Sequence, residues 1–451
     1  MRDILFCKNI NQKVLSLYNS KLHNVGKKEQ EIEIMSPVGS YESLMAAIQA
    51  GANSVYFGVG TLNMRSRSAA NFTLDDMRNI SEICQTHHVK SYLTVNTIIY
   101  DEEIKLMRQL VDAAKQQNIS AIIASDLAVI QYARKIGMEI HISTQCNITN
   151  IEAVRFFSQY ADVMVTAREL SLKQVGTIIR QIKEQNITGP SGNLVEIEIF
   201  AHGALCMAVS GKCYLSLDNF NYSANRGACL QPCRRAYHVE DADKEINLMI
   251  DHKYIMSPKD LCTIGFLDKI LQVGVKVLKI EGRGRSPEYV KTVTRCYREA
   301  ANAYFAGTYC EENVNKWMED LQNVYNRGFW DGYYLGRELG EWTERYGSQA
   351  RKTKVYVGRV TNFFTKLNVA EVKIESNGIQ LQDEIVIIGP TTGVYEDTLQ
   401  EIRVDLKAVS HAQKGDVCSI PTHDIIRRND KLYKIIPICD SDDYQTEESL
   451  S

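Results

Sequence analysis

Residues 31–283 alternate between short apolar segments and longer amphipathic ones, and this alternation constrains the fold more than any other feature. The short segments are rich in β-branched and aromatic residues, as buried strands are. Most lie 20 to 35 residues from the next, and they cover residues 31–37, 54–59, 90–96, 121–125, 139–144, 163–167, 195–202 and 277–283. Eight strands alternating with helices predict an α/β fold, a closed (β/α)8 TIM-like barrel. A doubly wound open sheet is the alternative.

The seventh strand–helix unit is much longer than the others. About 75 residues separate its strand, 195–202, from the eighth, 277–283, and five of the twelve cysteines fall in this stretch. The stretch leaves the carboxyl end of a barrel strand, where (β/α)8 proteins build their sites. The sequence therefore predicts a cysteine-rich insertion at the functional face.

Four cysteines of this insertion lie within 28 residues: Cys206, Cys213, Cys229 and Cys233, separated by 7, 16 and 4 positions. Four thiolates are the usual ligands of an iron–sulfur cluster or a structural zinc ion. Zinc sites favour paired CxxC motifs, and this chain has none, so the spacing favours an iron–sulfur cluster. Buried apolar thiols are the remaining alternative. Cys262 is a fifth thiol nearby and an alternative to Cys233 as the fourth ligand.

Composition predicts the compartment and excludes a membrane protein. Twelve cysteines without a secretory signal indicate a reducing compartment, and no run of 18 apolar residues is present, so we expect a cytoplasmic protein without a membrane partner. The net charge of −3 provides no global attraction to nucleic acid, so a polyanionic partner would need a local basic patch.

Changes in periodicity predict the domain boundaries. Residues 31–310 form the catalytic barrel, with the cysteine cluster at 206–233, and residues 311–350 form a helical connector. From 351 to 437 the apolar period changes to two, which predicts a small antiparallel β-barrel. Residues 1–30 are interpreted as an N-terminal extension and residues 438–451 as a disordered acidic tail.

Polar residues that follow the predicted strands are candidates for the site, because strand carboxyl ends meet at one face of a barrel. Arginines are frequent in the same regions, and guanidinium groups bind carboxylates and phosphates in bidentate fashion. The strand-end candidates are Ser36, Tyr56, Asn96, Asp126, Gln145, Arg168, His202, Glu281 and Arg283. The arginines are Arg65, Arg67, Arg168, Arg226, Arg234, Arg235, Arg283 and Arg285.

Several motifs resemble one known family. The segments EIEIFAHGALCMAVSGKCYLS, RGACLQPCRRAY, SPKDL and LKIEGRGRSPEYV closely resemble the collagenase-like peptidase family of unassigned mechanism. Its members with assigned chemistry are RNA hydroxylation proteins and a pair used in ubiquinone synthesis, and the length of this chain is most similar to the members that form 5-hydroxyuridine in tRNA. The resemblance implies iron–sulfur ligands at Cys206, Cys213, Cys229 and Cys233, and prephenate, a dicarboxylate, as cosubstrate.

These observations lead to three functional hypotheses. The first is an enzyme that hydroxylates a uridine of tRNA with a 4Fe–4S cluster and prephenate; its catalytic candidates are His202, Arg168, Glu281 and Arg283. The second is a collagenase-like peptidase with a cysteine nucleophile, although no HExxH or GxSxG motif is present. The third is a non-catalytic iron–sulfur scaffold. The sequence does not distinguish oligomeric states.

Overall fold

The computed structural model describes residues 32–67, 71–237, 254–336 and 340–438. The chain divides into two units, Met1–Ile32 and Glu33–Ser451, and the description below concerns the second. The predicted N-terminal extension and the predicted tail beyond residue 438 lie outside the described residues. Among the described residues, no helix is both long and apolar enough to cross a membrane.

Eight parallel strands form a closed barrel. The first ten strands among the described residues are β1 (Glu33–Pro37), β2 (Ser54–Gly58), β3 (Lys90–Val95), β4 (Ala121–Ala124), β5 (Ile140–Ile142), β6 (Val163–Val165), β7 (Glu196–Ala204), β8 (Asp260–Cys262), β9 (Val277–Ile280) and β10 (Phe329–Trp330). Strands β1 to β7 pair in chain order, and β9 pairs with both β7 and β1. The barrel prediction is confirmed, and the open sheet is wrong because these strands leave no free edge in the wall.

The described part of the chain forms ten helices, most of which follow the barrel strands and cover the outside of the wall. They are α1 (Tyr41–Gln49), α2 (Leu74–Thr86), α3 (Ile104–Gln116), α4 (Leu127–Lys135), α5 (Ile151–Phe157), α6 (Leu172–Glu184), α7 (Leu215–Phe220), α8 (Leu267–Val273), α9 (Pro287–Ala306) and α10 (Glu311–Asn323). Side-chain caps explain several starts. In α2, Thr73 accepts from the backbone N–H of Asp76 and the Asp76 carboxylate accepts in return. Ser171 and Gln174 form the same capping box in α6.

The cysteine-rich insertion begins where β7 extends past the barrel wall. The last residues of β7 pair antiparallel with β8, and β10 adds to β8. Helix α7 and irregular segments of residues 205–237 lie between these strands. The predicted insertion after strand seven is thus present, and it starts from a strand pair that the sequence did not indicate.

The C-terminal region forms two antiparallel sheets. Its strands are β11 (Lys352–Phe364), β12 (Val369–Ile374), β13 (Ile379–Gln380), β14 (Glu384–Gly389), β15 (Gly393–Thr398), β16 (Ile402–Val404), β17 (Lys407–Val409), β18 (His411–Ala412), β19 (Val417–Pro421) and β20 (Lys431–Pro437). Strands β13 and β18 pair separately, and the other eight form one sheet around their own apolar core. Val386, Ile388 and Val394 pack against Ala46 of α1. This module therefore lies on the outer wall of the barrel.

Candidate functional site

A cavity of about 310 Å³ opens at the carboxyl ends of the barrel strands. Its floor and walls include side chains at or just after the strands, namely Tyr56, Thr94, Asn96, Ser143, Phe200, Lys279, Glu281 and Arg283. Further parts of its wall come from residues 204–234 of the insertion and from Arg327. This is the position of active sites in (β/α)8 barrels.

All four clustered cysteines line this cavity, as free thiols. Burial raises the pKa of Cys233 to about 11, an effect that Arg234 opposes and the neighbouring thiols reinforce. Burial likewise raises the pKa of Cys213. Within the described ranges, no three or more His, Cys, Asp or Glu side chains are already positioned as metal ligands. The four thiols thus share one cavity without forming a closed ligand shell.

Cys262 lies elsewhere. It is buried on β8, with its sulfur 3.7 Å from Met318 Sδ and 4.0 Å from the Tyr297 hydroxyl. It is absent from the described residues that line the cavity. The structure therefore brings Cys233, and not Cys262, to the other three thiols.

Hydrogen bonds hold the cysteine segment over the barrel mouth. Arg234 donates to the carbonyl oxygens of Leu205 and Pro258, at 2.6 Å each. Arg226 forms a 2.5 Å ion pair with Glu103 of the barrel. Gly227 has a φ of +76°, and a Cβ atom there would lie 2.2 Å from the Asn63 carbonyl oxygen, so a glycine is required where this segment crosses the rim.

Three of the four predicted catalytic residues line the cavity. Arg168 donates to the Ser210 hydroxyl at 2.6 Å, and Arg283 donates to Thr94 and Asn63 at 3.0 and 2.8 Å. Burial lowers the pKa of Arg283 to about 10, so it remains a cation at neutral pH. The Arg283 guanidinium is therefore held in place by neutral groups.

Glu281, the third, is paired with Arg65 at 2.7 Å. Burial alone would raise the pKa of this carboxyl, but Arg65 and Arg285 outweigh burial and lower it. Glu281 is therefore the one carboxylate among the described residues that line the cavity, and it is fixed and ionised.

His202 is the exception. It is 1% exposed, outside the described cavity lining, and packed among Tyr289, Tyr297 and Phe329. Burial, together with the charge of Arg285, lowers its pKa to about 3, so the imidazole is neutral. Its Nδ1 lies 3.4 Å from the Tyr297 hydroxyl. This placement fits a packing role.

The other strand-end candidates also divide into residues that line the cavity and residues that do not. Tyr56, Asn96 and Gln145 line the cavity. Ser36 instead bonds the Thr294 hydroxyl at 2.8 Å, and Asp126 caps α4. Among the predicted arginines, those that line the cavity are Arg65, Arg168, Arg234, Arg283 and Arg285.

Sequence reasoning missed a buried ion chain below the cavity. Lys279 reaches the floor and pairs with Glu198 at 2.8 Å, and Glu198 lies 3.5 Å from His141 Nδ1. Lys279 also lies 4.7 Å from the centroid of the Tyr56 ring. The alternation of side-chain directions within 195–202 and 277–283 could have indicated this chain of ions, because it puts Glu198 and Lys279 on the inward face of the barrel wall.

The fold and the cavity define the class of this protein: a (β/α)8 barrel with the site geometry that enzymes of this fold use. The sequence profile of peptidase family U32 matches residues 39–344, about two thirds of the chain. The chain therefore belongs to peptidase family U32, which confirms the resemblance noted from the motifs.

Three relatives are informative. A protein named collagenase from Porphyromonas gingivalis is 60% identical over 404 residues, covering 90% of this chain and 98% of that protein. The tRNA hydroxylation protein P1 of Bacillus subtilis is 31% identical over 401 residues, covering 87% and 91%. A 23S rRNA 5-hydroxycytidine synthase of Escherichia coli is 32% identical, covering 69% of this chain and 46% of that protein.

Proposed function

We propose that this chain hydroxylates a uridine of tRNA to 5-hydroxyuridine at the wobble position. In this proposal Cys206, Cys213, Cys229 and Cys233 hold a 4Fe–4S cluster and prephenate is the cosubstrate. The observation that carries it is the convergence of four thiols and a set of basic side chains on one cavity at the barrel mouth. The relatives named for tRNA and rRNA hydroxylation support the chemistry.

The donor set fits an iron–sulfur cluster. Four soft thiolates, one for each iron, are its usual ligands, and all four line the same cavity. Such a cluster supplies one-electron chemistry. The contacts of Arg234 and Arg226 hold the segment that carries these thiols over the barrel mouth.

The cavity charge suits anionic ligands. Seven basic side chains and one carboxylate line it among the described residues. Glu281 and the nearby Glu198 and Asp260 neutralise some of these cations, whereas Arg168 and Arg283, like Arg234, bond to neutral groups. In our proposal Arg168 and Arg283 bind the carboxylates of prephenate, since charge-assisted pairs strengthen away from water.

The rim suits an unstacked base. A single-stranded anticodon loop can insert a base into a pocket and stack its neighbours on aromatic rings. Two arginine–aromatic pairs involve residues of the cysteine-rich insertion: Arg226 lies 4.0 Å from the Tyr100 ring, and Arg67 lies 4.6 Å from that of Tyr222. In the cavity, the ionised Glu281 is an acceptor of the kind that recognises the N3–H of uracil.

A peptidase is the second candidate, because the 60% identical relative is named collagenase. A cysteine peptidase needs a thiolate activated by a neighbouring base. Burial instead raises the pKa of Cys213 and Cys233, and His202 is packed in a separate aromatic pocket. The geometry thus supports hydroxylation better than peptide cleavage.

Nucleoside analysis tests the proposal. Total tRNA and 23S rRNA from a strain lacking this protein are digested, and 5-hydroxyuridine and 5-hydroxycytidine are quantified by mass spectrometry. We expect loss of 5-hydroxyuridine from tRNA, restored by the wild-type gene but not by a Cys229→Ala variant. Normal tRNA together with loss of collagen cleavage would instead establish the peptidase.

A further inference from the structure

A second cavity, of about 430 Å³, lies beside the first. Cys229, Gln231, Arg234 and Arg327 line both cavities, so the two share a wall. The remaining lining residues are Arg67, Leu230, Arg235, Ser257, Tyr325, Arg345, Tyr346 and Gly347. Five arginines therefore converge on a space that no described Asp or Glu lines.

The contacts of Arg67, Arg234 and Arg235 leave the charge of these three arginines available to the cavity, whereas Arg327 pairs with Asp260 at 3.4 Å. Arg67 lies 4.6 Å from the centroid of the Tyr222 ring, and Arg235 lies 5.0 Å from that of Phe220. An aromatic ring fixes a guanidinium in place without neutralising its charge. Arg234 likewise bonds to carbonyl and hydroxyl oxygens. Such a group of fixed cations favours an anionic ligand.

The cavity is also bordered by exposed apolar surface. Tyr346 is 72% exposed and Leu230 is 41% exposed. A small free anion needs only the cations, whereas a nucleotide needs both a cationic site for its phosphate and a flat apolar surface for its base.

We infer that this second cavity binds a phosphodiester of the RNA strand next to the reacting nucleotide, with a flanking base stacked on Tyr346. The inference rests on the proposed function. The shared wall at Cys229 and Gln231 places the phosphate site beside the cavity that takes the base. The cavity thereby fixes which nucleotide of a loop enters the barrel.

The test measures binding of an anticodon stem–loop RNA to full-length protein as a function of salt. For Arg67→Gln/Arg235→Gln we expect about ten-fold weaker binding, because two charge-assisted contacts are lost. We also expect the slope of log K against log salt to fall by about 0.7 for each phosphate released. Tyr346→Ala should weaken binding about ten-fold through lost stacking, with an unchanged slope. Because the Tyr346 side chain is exposed, weaker binding by this variant would not be explained by a folding defect.

Arg180→Gln is the matched control, because Arg180 is an exposed arginine of α6 that pairs only loosely with Glu184, at 3.7 Å. It should bind RNA as the wild type does. Prephenate binding, measured separately, should be unchanged in all variants. If the pocket variants lose prephenate affinity instead, the cavity belongs to the small dianion and the inference is overturned.

The two proposals fail differently. If the wild type hydroxylates tRNA while the pocket variants keep wild-type affinity and slope, only the phosphodiester inference is overturned. If the wild type neither hydroxylates nor binds the stem–loop, both are overturned.

Discussion

Lys279 Nζ lies 2.8 Å from Glu198 Oε1 beneath the cavity, with the two side chains 7% and 0% exposed. The pair joins neighbouring strands of the barrel, β9 and β7, at the point where the wall closes. An isolated charge at this depth would cost several kcal/mol, so each side chain depends on the other. The same ion pair therefore joins the strands that close the barrel and places a cation at the floor of the cavity.

Lys279→Met should reduce the free energy of unfolding by about 3–5 kcal/mol, because it leaves Glu198 buried with its main partner gone. The matched control is Lys352→Met, which removes the same group from an exposed pair with Glu384 and should cost at most about 1 kcal/mol. Urea denaturation measures both. Equal losses of unfolding free energy in the two variants would show that the buried pair stabilises the fold no more than the exposed pair does.

Much of the fold was predictable because the period of the apolar residues and the length of each segment are local properties of the sequence. Each of the eight predicted strands overlaps one barrel strand, and the long gap after 195–202 located the insertion correctly. The strands β15 and β20 are not evident from the sequence, since Gly393–Thr398 and Lys431–Pro437 lack strict alternation of apolar and polar residues. Their assignment depends on pairing with β14, which is a tertiary contact.

The four cysteines were predictable from their clustering in the insertion, and the other site residues only where position along a strand determines the direction of a side chain. That rule placed Arg168, Glu281 and Arg283 at the cavity. It failed for His202 because β7 continues to Ala204 and pairs with β8, which turns this position into an aromatic pocket. The second cavity was also unpredictable, since Arg345 is separated from Arg235 by 110 positions along the chain.

Single alanine substitutions at Cys206, Cys213, Cys229 or Cys233 should each sharply lower bound iron and sulfide after anaerobic purification, because a cluster that loses a thiolate is unstable. Cys262→Ala should keep wild-type iron, since its sulfur contacts Met318 and Tyr297. Cys262 thus serves as the buried-thiol control. Iron lost on Cys262→Ala but kept on Cys233→Ala would reverse the assignment of the fourth ligand.

Arg168→Ala should weaken prephenate binding by about 30-fold or more, because a charge-assisted pair held away from water costs about 2–5 kcal/mol to break. Arg283→Lys keeps the charge but loses the fork that bonds Thr94 and Asn63, so it should also weaken binding, by a smaller factor. Calorimetric titration measures both, with iron content as the check on folding. Unchanged affinity in both variants would remove the arginines from the cosubstrate site.

Stability should decline in alkaline solution through His141. Burial alone would lower the pKa of this imidazole, but Glu139 and Glu198 raise it to about 9. A folded-state pKa above the ordinary value of about 6.5 means that the stabilisation is complete below pH 6.5 and is lost as the pH rises through about 9. The free energy of unfolding that is lost over this pH range is on the order of 3 kcal/mol. In His141→Gln the unfolding free energy should lack this decline, whereas exposed His411→Gln should follow the wild type.

Deletion of residues 352–451 should destabilise the barrel rather than leave it intact. The C-terminal sheet buries Val386, Ile388 and Val394 against Ala46, and Gln49 of α1 bonds the Thr392 carbonyl at 2.8 Å and the Val394 amide at 3.1 Å. The deletion exposes this apolar face and leaves Gln49 without these partners, so a lower melting temperature and aggregation are expected. A point variant separates docking from folding of the module: Val394→Asp should lower the melting temperature, whereas Val417→Asp, at a 43% exposed position of β19, should not. Equal melting temperatures for the truncated and full chains would show that the outer-wall contact contributes nothing.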